Sequence, residues 1–369
     1  MVTIPFLKKI EFPKFSLPFS LGPASYVGVD VGSASVKVVQ LRKDRERAIL
    51  ETYGELKSGR YFREEGLGAR GGLLRHLDQN VAELLTDVMR EANVTARRVV
   101  FSIPSASSFV TVVSLPLLSR DELRAAIPYE AQRYVPIPVG EVALDWQIIE
   151  EDPQARRVSI LLAAVPKEVV SKYQRIADSL KLTLEAVEIE SFAAARALLA
   201  ADRGVTALIQ WGALVTILTI VEERVIRMNH NFGRGSREIT VALARSLSIS
   251  EERAETIKRE VGLSTKPEER GVAEVIAPQV DSILSDLERM MIVYNRQAKR
   301  KVEKIVMTGG GANLVGLVDH VARRFGLETT TGNPFARTVY PAFLQPLLKE
   351  IGPTFAVAVG LALRQITPT

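Results

Sequence analysis

From Tyr26 the chain runs Tyr-Val-Gly-Val-Asp30-Val-Gly32-Ser33-Ala34-Ser35-Val36-Lys37-Val-Val-Gln-Leu41: a short apolar stretch, a turn of small residues, then alternating apolar positions. That pattern predicts strand, tight turn, strand. A third strand is expected around 48–56, after a charged turn. A loop with Gly59, Gly66, Gly68, Gly71 and Gly72 follows, and then a helix whose apolar residues Leu74, Leu77, Val81, Leu84, Leu85 and Val88 fall at helical spacing. The stretch Arg98-Val-Val-Phe-Ser-Ile103 reads as a buried strand. Three antiparallel strands, a helix and another strand do not make the strand–helix alternation of a Rossmann or P-loop unit.

The opening pattern returns 180 residues later, where Leu208-Ile-Gln210-Trp-Gly212-Ala-Leu-Val-Thr216 lies over Gly28 to Val36 and is again followed by a third strand, 223–231. Two halves that begin with one meander predict an internally duplicated α/β chain of two lobes. A further glycine turn, Thr308-Gly309-Gly310-Gly311, closes a strand and leads into a helix over 317–325. Between the lobes, residues 110–186 carry a helix from an N-cap at Ser119 through Arg133, Val135-Pro136-Ile-Pro138, strands at 143–149 and 158–165, a helix at 167–181 and a strand at 184–189. Residues 236–300 read as charged and almost wholly helical. The expected divisions are a Pro/Phe-rich tail (1–25), a first-lobe core (26–109), an inserted subdomain (110–186), a connecting helix with second-lobe core (187–235), a helical subdomain (236–302) and a second-lobe remainder (303–369). The tail places Pro5, Pro13, Pro18 and Pro23 among bulky apolar residues with Lys8, Lys9 and Lys14, too much proline for a continuous amphipathic helix.

Composition narrows the chemistry. The chain has no cysteine, which excludes disulfides, zinc knuckles, Fe–S clusters and thiol catalysis. Its three histidines are scattered, so a His-based metal site is not expected. A net charge of +5 on 369 residues permits an acidic partner surface without requiring nucleic acid, and none is expected. No apolar run reaches the roughly 18–20 residues that would cross a bilayer, and no signal pattern opens the chain. A cytoplasmic protein is the simplest reading.

The candidate chemistry sits in the glycine turns. Successive N–H groups of a tight turn can converge on a phosphate, and glycine removes the Cβ that would block it. Gly32, Ser33, Ala34 and Ser35 supply such a turn, Lys37 a positive charge, and Asp30 a carboxylate able to hold Mg²⁺ through its hydration shell. The same residues read equally as a well-made hairpin with a polar flank. Taken together, the motifs resemble the actin-like ATPase superfamily, with its duplicated RNase H-like lobes. Asp30-Val-Gly32-Ser33 is similar to its first phosphate loop, Gly309-Gly310-Gly311 to its adenosine motif, and Gly352 to Gly360 to its C-terminal connecting helix. Ala254-Glu255-Thr-Ile-Lys258 resembles the helix of MreB and FtsA whose Glu and Lys reach adenosine. The block from Ser114 to Pro138, with Glu130-Ala-Gln-Arg133-Tyr134-Val-Pro136-Ile-Pro138 and then Leu144-Asp145-Trp-Gln, resembles the type IV pilus assembly protein PilM family.

The resemblance implies ATP and Mg²⁺ bound between the lobes, with Glu190 orienting an attacking water. As a residue, Glu190 is also an ordinary acid at a helix start. Two positions depart from the pattern. Gln210, before Gly212, stands where the second phosphate loop carries Asp, which implies weak metal binding and slow or absent hydrolysis. Gly233-Arg-Gly235 stands where a Gly-Gly turn is usual. The resemblance further implies an assembly platform at the inner face of the cytoplasmic membrane. It would bind the cytoplasmic N-terminal peptide of a PilN-like protein in a groove beside the inserted subdomain, with Arg124, Glu130, Arg133, Tyr134, Pro136 and Pro138 as candidate contacts. Self-association and other pilus components stay open as partners. Leu115, Leu117, Leu118, Leu123, Ile127 and Tyr134 read alternatively as plain core. An FtsA-like scaffold is the second reading, although no amphipathic helix closes the chain. A sugar-kinase-like enzyme is the third, although no catalytic Asp base is evident.

Overall fold

In a computed structural model, residues 24–60 and 78–366 are described. The tail through Pro23, Gly66, Gly68, Gly71 and Gly72 of the glycine-rich loop, Leu74 and Leu77 therefore lie outside the described residues. The chain divides into two compact units, one from Met1–Ala197, Ala336–Ala342 and Val357–Thr369, the other from Leu198–Phe335 and Phe343–Ala356.

The first unit runs β1 (Ser25–Val31), β2 (Ser35–Asp44), β3 (Arg47–Lys57), α1 (Asp78–Glu91), β4 (Arg98–Ile103), β5 (Phe109–Pro116), α2 (Arg120–Ala131), β6 (Val142–Asp152), β7 (Arg157–Pro166), α3 (Lys167–Ser179), β8 (Thr183–Ile189) and α4 (Glu190–Leu199). The second holds β9 (Val205–Trp211), β10 (Thr216–Glu222), β11 (Val225–Phe232), α5 (Ser236–Leu247), α6 (Glu251–Val261), α7 (Arg270–Gln297), β12 (Lys304–Thr308), α8 (Leu317–Phe325) and β13 (Glu328–Thr331). The strand β14 (Thr338–Val339) and the helix α9 (Gln345–Leu363) complete the order.

The larger sheet is ordered β14-β3-β2-β1-β4-β8 and its counterpart β11-β10-β9-β12-β13. Removing the two-residue β14 leaves one topology in both: an antiparallel meander whose first strand then pairs parallel with β4 or β12. The equivalent strands β1 and β9 lie 180 residues apart, so the duplication legible in the sequence is a duplication of structure. Strands buried on both faces carry near-continuous apolar runs, as Val27, Val29, Val31, Val99, Val100 and Phe101 do here. On α1 the buried residues are Val81, Leu84, Leu85 and Val88, a stripe at helical spacing worth roughly 1.5–3 kcal/mol per side chain. In the second unit α7 supplies the matching layer, its Ile283, Leu287 and Met291 packing with Ile209, Ile305 and Met307.

The inserted segment forms its own antiparallel sheet, β5-β7-β6, with Val113, Leu115, Leu123, Ile127, Ile160 and Leu162 in its core. The sequence reading lacked β5. Its alternation is half hidden, because Val112 and Ser114 point away from the core that Val113 and Leu115 enter. The expected N-cap is present: Ser119 Oγ accepts the Glu122 N–H at 3.4 Å, and Glu122 Oε2 accepts the Ser119 N–H at 2.8 Å. Ser119→Ala should lower stability by about 1 kcal/mol in urea denaturation, with the loss read in this subdomain by hydrogen exchange.

One expectation is corrected. The helical stretch Ala342–Leu363 is long and apolar enough to cross a membrane by length and composition, although 67% of its apolar window is buried inside the protein. Pro346, Lys349, Glu350 and Pro353 break the run to the eye while leaving the average apolar.

Candidate functional site

The β1–β2 hairpin is closed by the Gly32 N–H donating to Ser35 O at 3.1 Å. A Cβ on Gly32 would stand 2.9 Å from that same oxygen, so the tightness of the turn explains the glycine. Ser58 holds the tip from behind, its N–H donating to Ala34 O at 3.0 Å and its Oγ to Ser33 O at 3.2 Å. With the tip carbonyls occupied, the Ser33 and Ala34 N–H groups have no acceptor among the described residues. The β9–β10 hairpin repeats the arrangement. Gly212 N–H donates to Val215 O at 2.9 Å, and the first N–H groups of α5, from Ser236 and Arg237, take Gly212 O and Ala213 O at 3.0 and 2.9 Å. The retained Gly235 has a reason: a Cβ there would lie 2.6 Å from both carbonyl oxygens. Around Gly233 there is open space, so the departure costs nothing locally.

Asp30 is the penultimate residue of β1 and is 8% exposed. It accepts a hydrogen bond from Ser102 Oγ at 3.0 Å, and Ser102 is in turn oriented by the Val31 N–H at 3.0 Å. Burial pushes the Asp30 carboxyl above its ordinary range, against the pull of Lys37 and Ser102. Lys37 is less available than its sequence position suggests. Its Nζ donates to Ser35 Oγ at 2.7 Å and pairs with Glu55 at 3.4 Å. Glu190 opens α4 and accepts the Ser105 N–H at 2.7 Å. Burial, then repulsion from Asp30, raises its carboxyl to about 7. Tyr173, stacked on Phe101 at 5.2 Å, has a buried hydroxyl with no hydrogen-bond partner among the described residues, and its phenol is pushed upward by burial and by the nearby Asp30 and Glu190. Ser102, Ser105, Glu55 and Tyr173 were missing from the sequence reading. Only Ser102 had a signal there, a lone hydroxyl inside a buried strand.

Raising a carboxyl on folding means that the native state binds the extra proton between the ordinary carboxylate range and about pH 7. Stability therefore falls as pH rises through that window. In nucleotide-free protein, Glu190→Gln should flatten the slope of unfolding free energy between pH 5 and 8, where Glu190 accounts for roughly 3 kcal/mol. An unchanged slope would refute this.

In the second unit Gln210 stands opposite Ile217 as Asp30 stands opposite Lys37, so it occupies the equivalent place without charge or cationic neighbour. Gly309 has φ +86° and turns directly under Trp211, whose carbonyl oxygen would be 2.6 Å from an added Cβ. The turn is moored by Thr308 Oγ1 and Gly309 N–H, both donating to Pro353 O, at 2.6 and 2.8 Å. A Cβ on Gly311 would meet the Trp211 ring at 2.3 Å and Ser236 Oγ at 2.6 Å, whereas Gly310 faces open space. Gln210 Oε1, Trp211 Nε1 and Ser236 Oγ are buried with no partner among the described residues. Glu255 and Lys258 of α6 meet at 2.5 Å, and Lys258 Nζ also donates to Thr240 Oγ1 at 2.8 Å and Ser236 O at 3.2 Å, fastening α6 beneath the start of α5. Burial lowers the Lys258 ammonium, while Glu255 stays below its usual range because Lys258, Thr240 and Arg259 outweigh its burial.

In each unit, unpaired N–H groups beside a glycine turn are of the kind that fit an anion. For a metal the donor set is thin: among the described residues no group of three or more His, Cys, Asp or Glu side chains could hold an ion.

On the inserted subdomain Leu115, Leu123 and Ile127 are core, and Leu118 packs against them. Leu117 (42% exposed), Tyr129 (74%) and Tyr134 (37%) are not, so core packing does not account for Leu117 or Tyr134. Pro136 and Pro138 are exposed beside them. Arg124 and Arg133 pair with Asp121 and Glu130 at 3.4 and 3.3 Å, both at the surface.

The structure is similar to the solved PilM-PilN type IV pilus biogenesis complex, with a TM-score of 0.80 at 23% identity over 94% of this chain and 99% of that one. It is also similar to the ethanolamine utilization protein EutJ from Carboxydothermus hydrogenoformans, with a TM-score of 0.54 at 19% identity over 93% and 90%. MreB 5 of Spiroplasma citri bound to AMPPNP gives 0.53 at 12% identity over 91% and 94%. These likenesses show the actin-like fold that the duplicated topology already described. Residues 28–366, nearly all of the described chain, match one family, and the chain therefore belongs to the type IV pilus assembly protein PilM family.

Proposed function

We propose that the protein is an ATP-binding assembly platform of a type IV pilus machine, peripheral to the inner face of the cytoplasmic membrane, that engages the N-terminal peptide of a PilN-like protein. The observation that carries the nucleotide half is the repeated hairpin. At Gly32–Ser35 and at Gly212–Val215 the tip carbonyls are tied back and tip N–H groups are left for an anion. Gly32 to Ser35 and Gly212 would hold phosphates, with Gly309 to Gly311, Glu255 and Lys258 on the adenosine side and Asp30 holding Mg²⁺ through water. The ion would screen phosphate charge. Gln210 brings a dipole where a charge would bind metal more tightly, so hydrolysis is slow and ATP acts mainly as a ligand that orders the fold. Glu190, raised toward neutrality, is the group able to accept a proton from water.

The partner half is supported by the PilN chain in the solved complex named above and by Leu117, Tyr129 and Tyr134 left exposed on a subdomain that already has its own core. An extended peptide can take backbone hydrogen bonds from a sheet edge and specificity from such side chains. Calorimetry with ATP and Mg²⁺ is expected to show binding that Asp30→Ala weakens about tenfold. Peptide from the PilN-like protein should bind wild type and lose affinity in Tyr134→Ala. No heat and no thermal shift at millimolar ATP would overturn the first half, and undiminished peptide binding by Tyr134→Ala with Leu117→Ser would overturn the second.

A further inference from the structure

The last turns of α7 present a stripe that no function above uses. Arg289, Ile292, Val293 and Arg296 fall at i, i+3, i+4 and i+7, one face of the helix, and all four are exposed. Ile292 and Val293 are 44% and 41% exposed, a paired apolar spot held between two arginines. The opposite face is anchored, since Leu287, Met291 and Tyr294 lie in the core of the second unit. The stripe is therefore rigidly displayed and not a loosely packed helix end.

Charge converges on the same place. Residues 296–304 contain Arg296, Lys299, Arg300, Lys301 and Lys304 against Glu303 alone, a net of +4. The whole chain carries +5, so the remainder is within one charge of balance. Arg300 Nη1 donates to the main-chain oxygen of Arg203 at 3.3 Å, which brings that exposed arginine to the same patch. Some of this charge is matched: Arg289 pairs with Asp286, Arg300 with Glu303 at 2.8 Å and Glu223 at 3.6 Å, and Lys304 with Asp202 at 3.0 Å. Arg203, Arg296 and Lys301 make no ion pair among the described residues.

We propose that this end of α7, with the loop that follows it, is a docking surface for an anionic lipid bilayer. Arg203, Arg296 and Lys301, the three that make no ion pair among the described residues, come from three separate segments, which suits a diffuse charged plane, and the apolar pair beside them is of the size that enters the interface between headgroups and chains. An acidic protein would place its carboxylate acceptors at fixed positions and call for directed donors, and it becomes an outcome of the test. The inference deepens the peripheral-membrane part of the reading above and depends on neither nucleotide nor PilN-like peptide.

The test is co-sedimentation of the full chain with vesicles of phosphatidylcholine alone or with 30% phosphatidylglycerol, without nucleotide or peptide. Binding to the anionic vesicles only is expected, with loss in 0.5 M NaCl. Arg296→Glu with Lys301→Glu should weaken it by roughly 30-fold or more, taking about a factor of five per surface cation. Ile292→Ser with Val293→Ser should weaken it without changing its salt dependence. Arg253→Glu with Lys349→Glu, the same change of net charge at other exposed positions of the second unit, should leave it within about twofold. Equal loss in that control pair, binding retained by the Arg296/Lys301 variant but abolished by deleting residues 1–22, or capture of poly-glutamate in preference to vesicles would each overturn the proposal. Failure here leaves the calorimetric test of nucleotide and peptide untouched.

Discussion

Gly360→Ala is expected to cost about 4 kcal/mol or more, against the direction that helix propensity predicts. Gly360 lies inside α9, where replacing glycine with alanine ordinarily stabilises by about 1 kcal/mol. Its added Cβ, however, would stand 1.8 Å from Ala193 O and 2.4 Å from Ala193 C. Both atoms are backbone of α4, so no rotamer change relieves the clash and the two helices must part. The site is involved as well, because α4 carries Glu190 at its first turn. Urea denaturation of Gly360→Ala beside Gly140→Ala, whose new methyl meets nothing within 4 Å, checks the argument. A loss below 1 kcal/mol at Gly360 would mean that the helices tolerate separation.

Glu188→Ala should cost about 3–5 kcal/mol, because it leaves buried arginines without their counterion. Glu188 is 0% exposed and sits in β8 between Arg196 and Arg364. Arg196 Nη1 donates to Glu188 Oε2 at 2.7 Å, Arg196 Nη2 donates to the other oxygen, and Arg364 approaches that oxygen at 3.1 Å. Arg196 Nη1 also reaches Gly360 O at 2.9 Å, so this ion cluster and the close helix approach secure the same stretch of α9. Burial opposes the charge on Glu188, yet the arginines win and hold its carboxyl below the ordinary range. For a depressed carboxyl the stabilisation is complete above the unfolded pKa and disappears only as pH falls through the folded one. Glu188→Gln should therefore be less stable than wild type near neutral pH but lose less as pH falls, so that the two profiles converge below the folded-state pKa. Glu188→Met combined with Arg196→Met, which removes most of the buried charge together, should be less damaging than Glu188→Ala alone if the penalty is electrostatic. Equal or greater damage would assign the loss to packing.

Much of the candidate site could be read before any coordinates, and the reason is local. A tight turn with bare N–H groups needs glycine at fixed places, so Gly32, Gly212 and Gly309 announce themselves at strand ends. Gln210 was visible as a departure because its hairpin repeats that of Asp30. Residues whose role depends on a distant element gave no such signal. Ser58 braces the first hairpin from beyond β3, Tyr173 approaches Asp30 from α3, and Trp211 reads in sequence as one more apolar strand residue until Gly311 is found against its ring. Lys37 shows the converse case. Its type and position were legible, but Glu55 across the strand pair already holds it.

What the sequence alone determined was therefore what short-range chemistry encodes: the strand and helix stripes, the glycine turns, the cap at Ser119 and, through a 180-residue offset, the duplication itself. Tertiary structure decided which members of the pilus-family block face outward. Leu117, Tyr134 and Leu115 share one composition class, and only the packing of α2 on the β5-β7-β6 sheet separates the buried one from the two exposed ones. It also decided that the apolar helix through Leu363 is an interior element, since hydropathy measures aversion to water and is silent on whether protein or lipid relieves it.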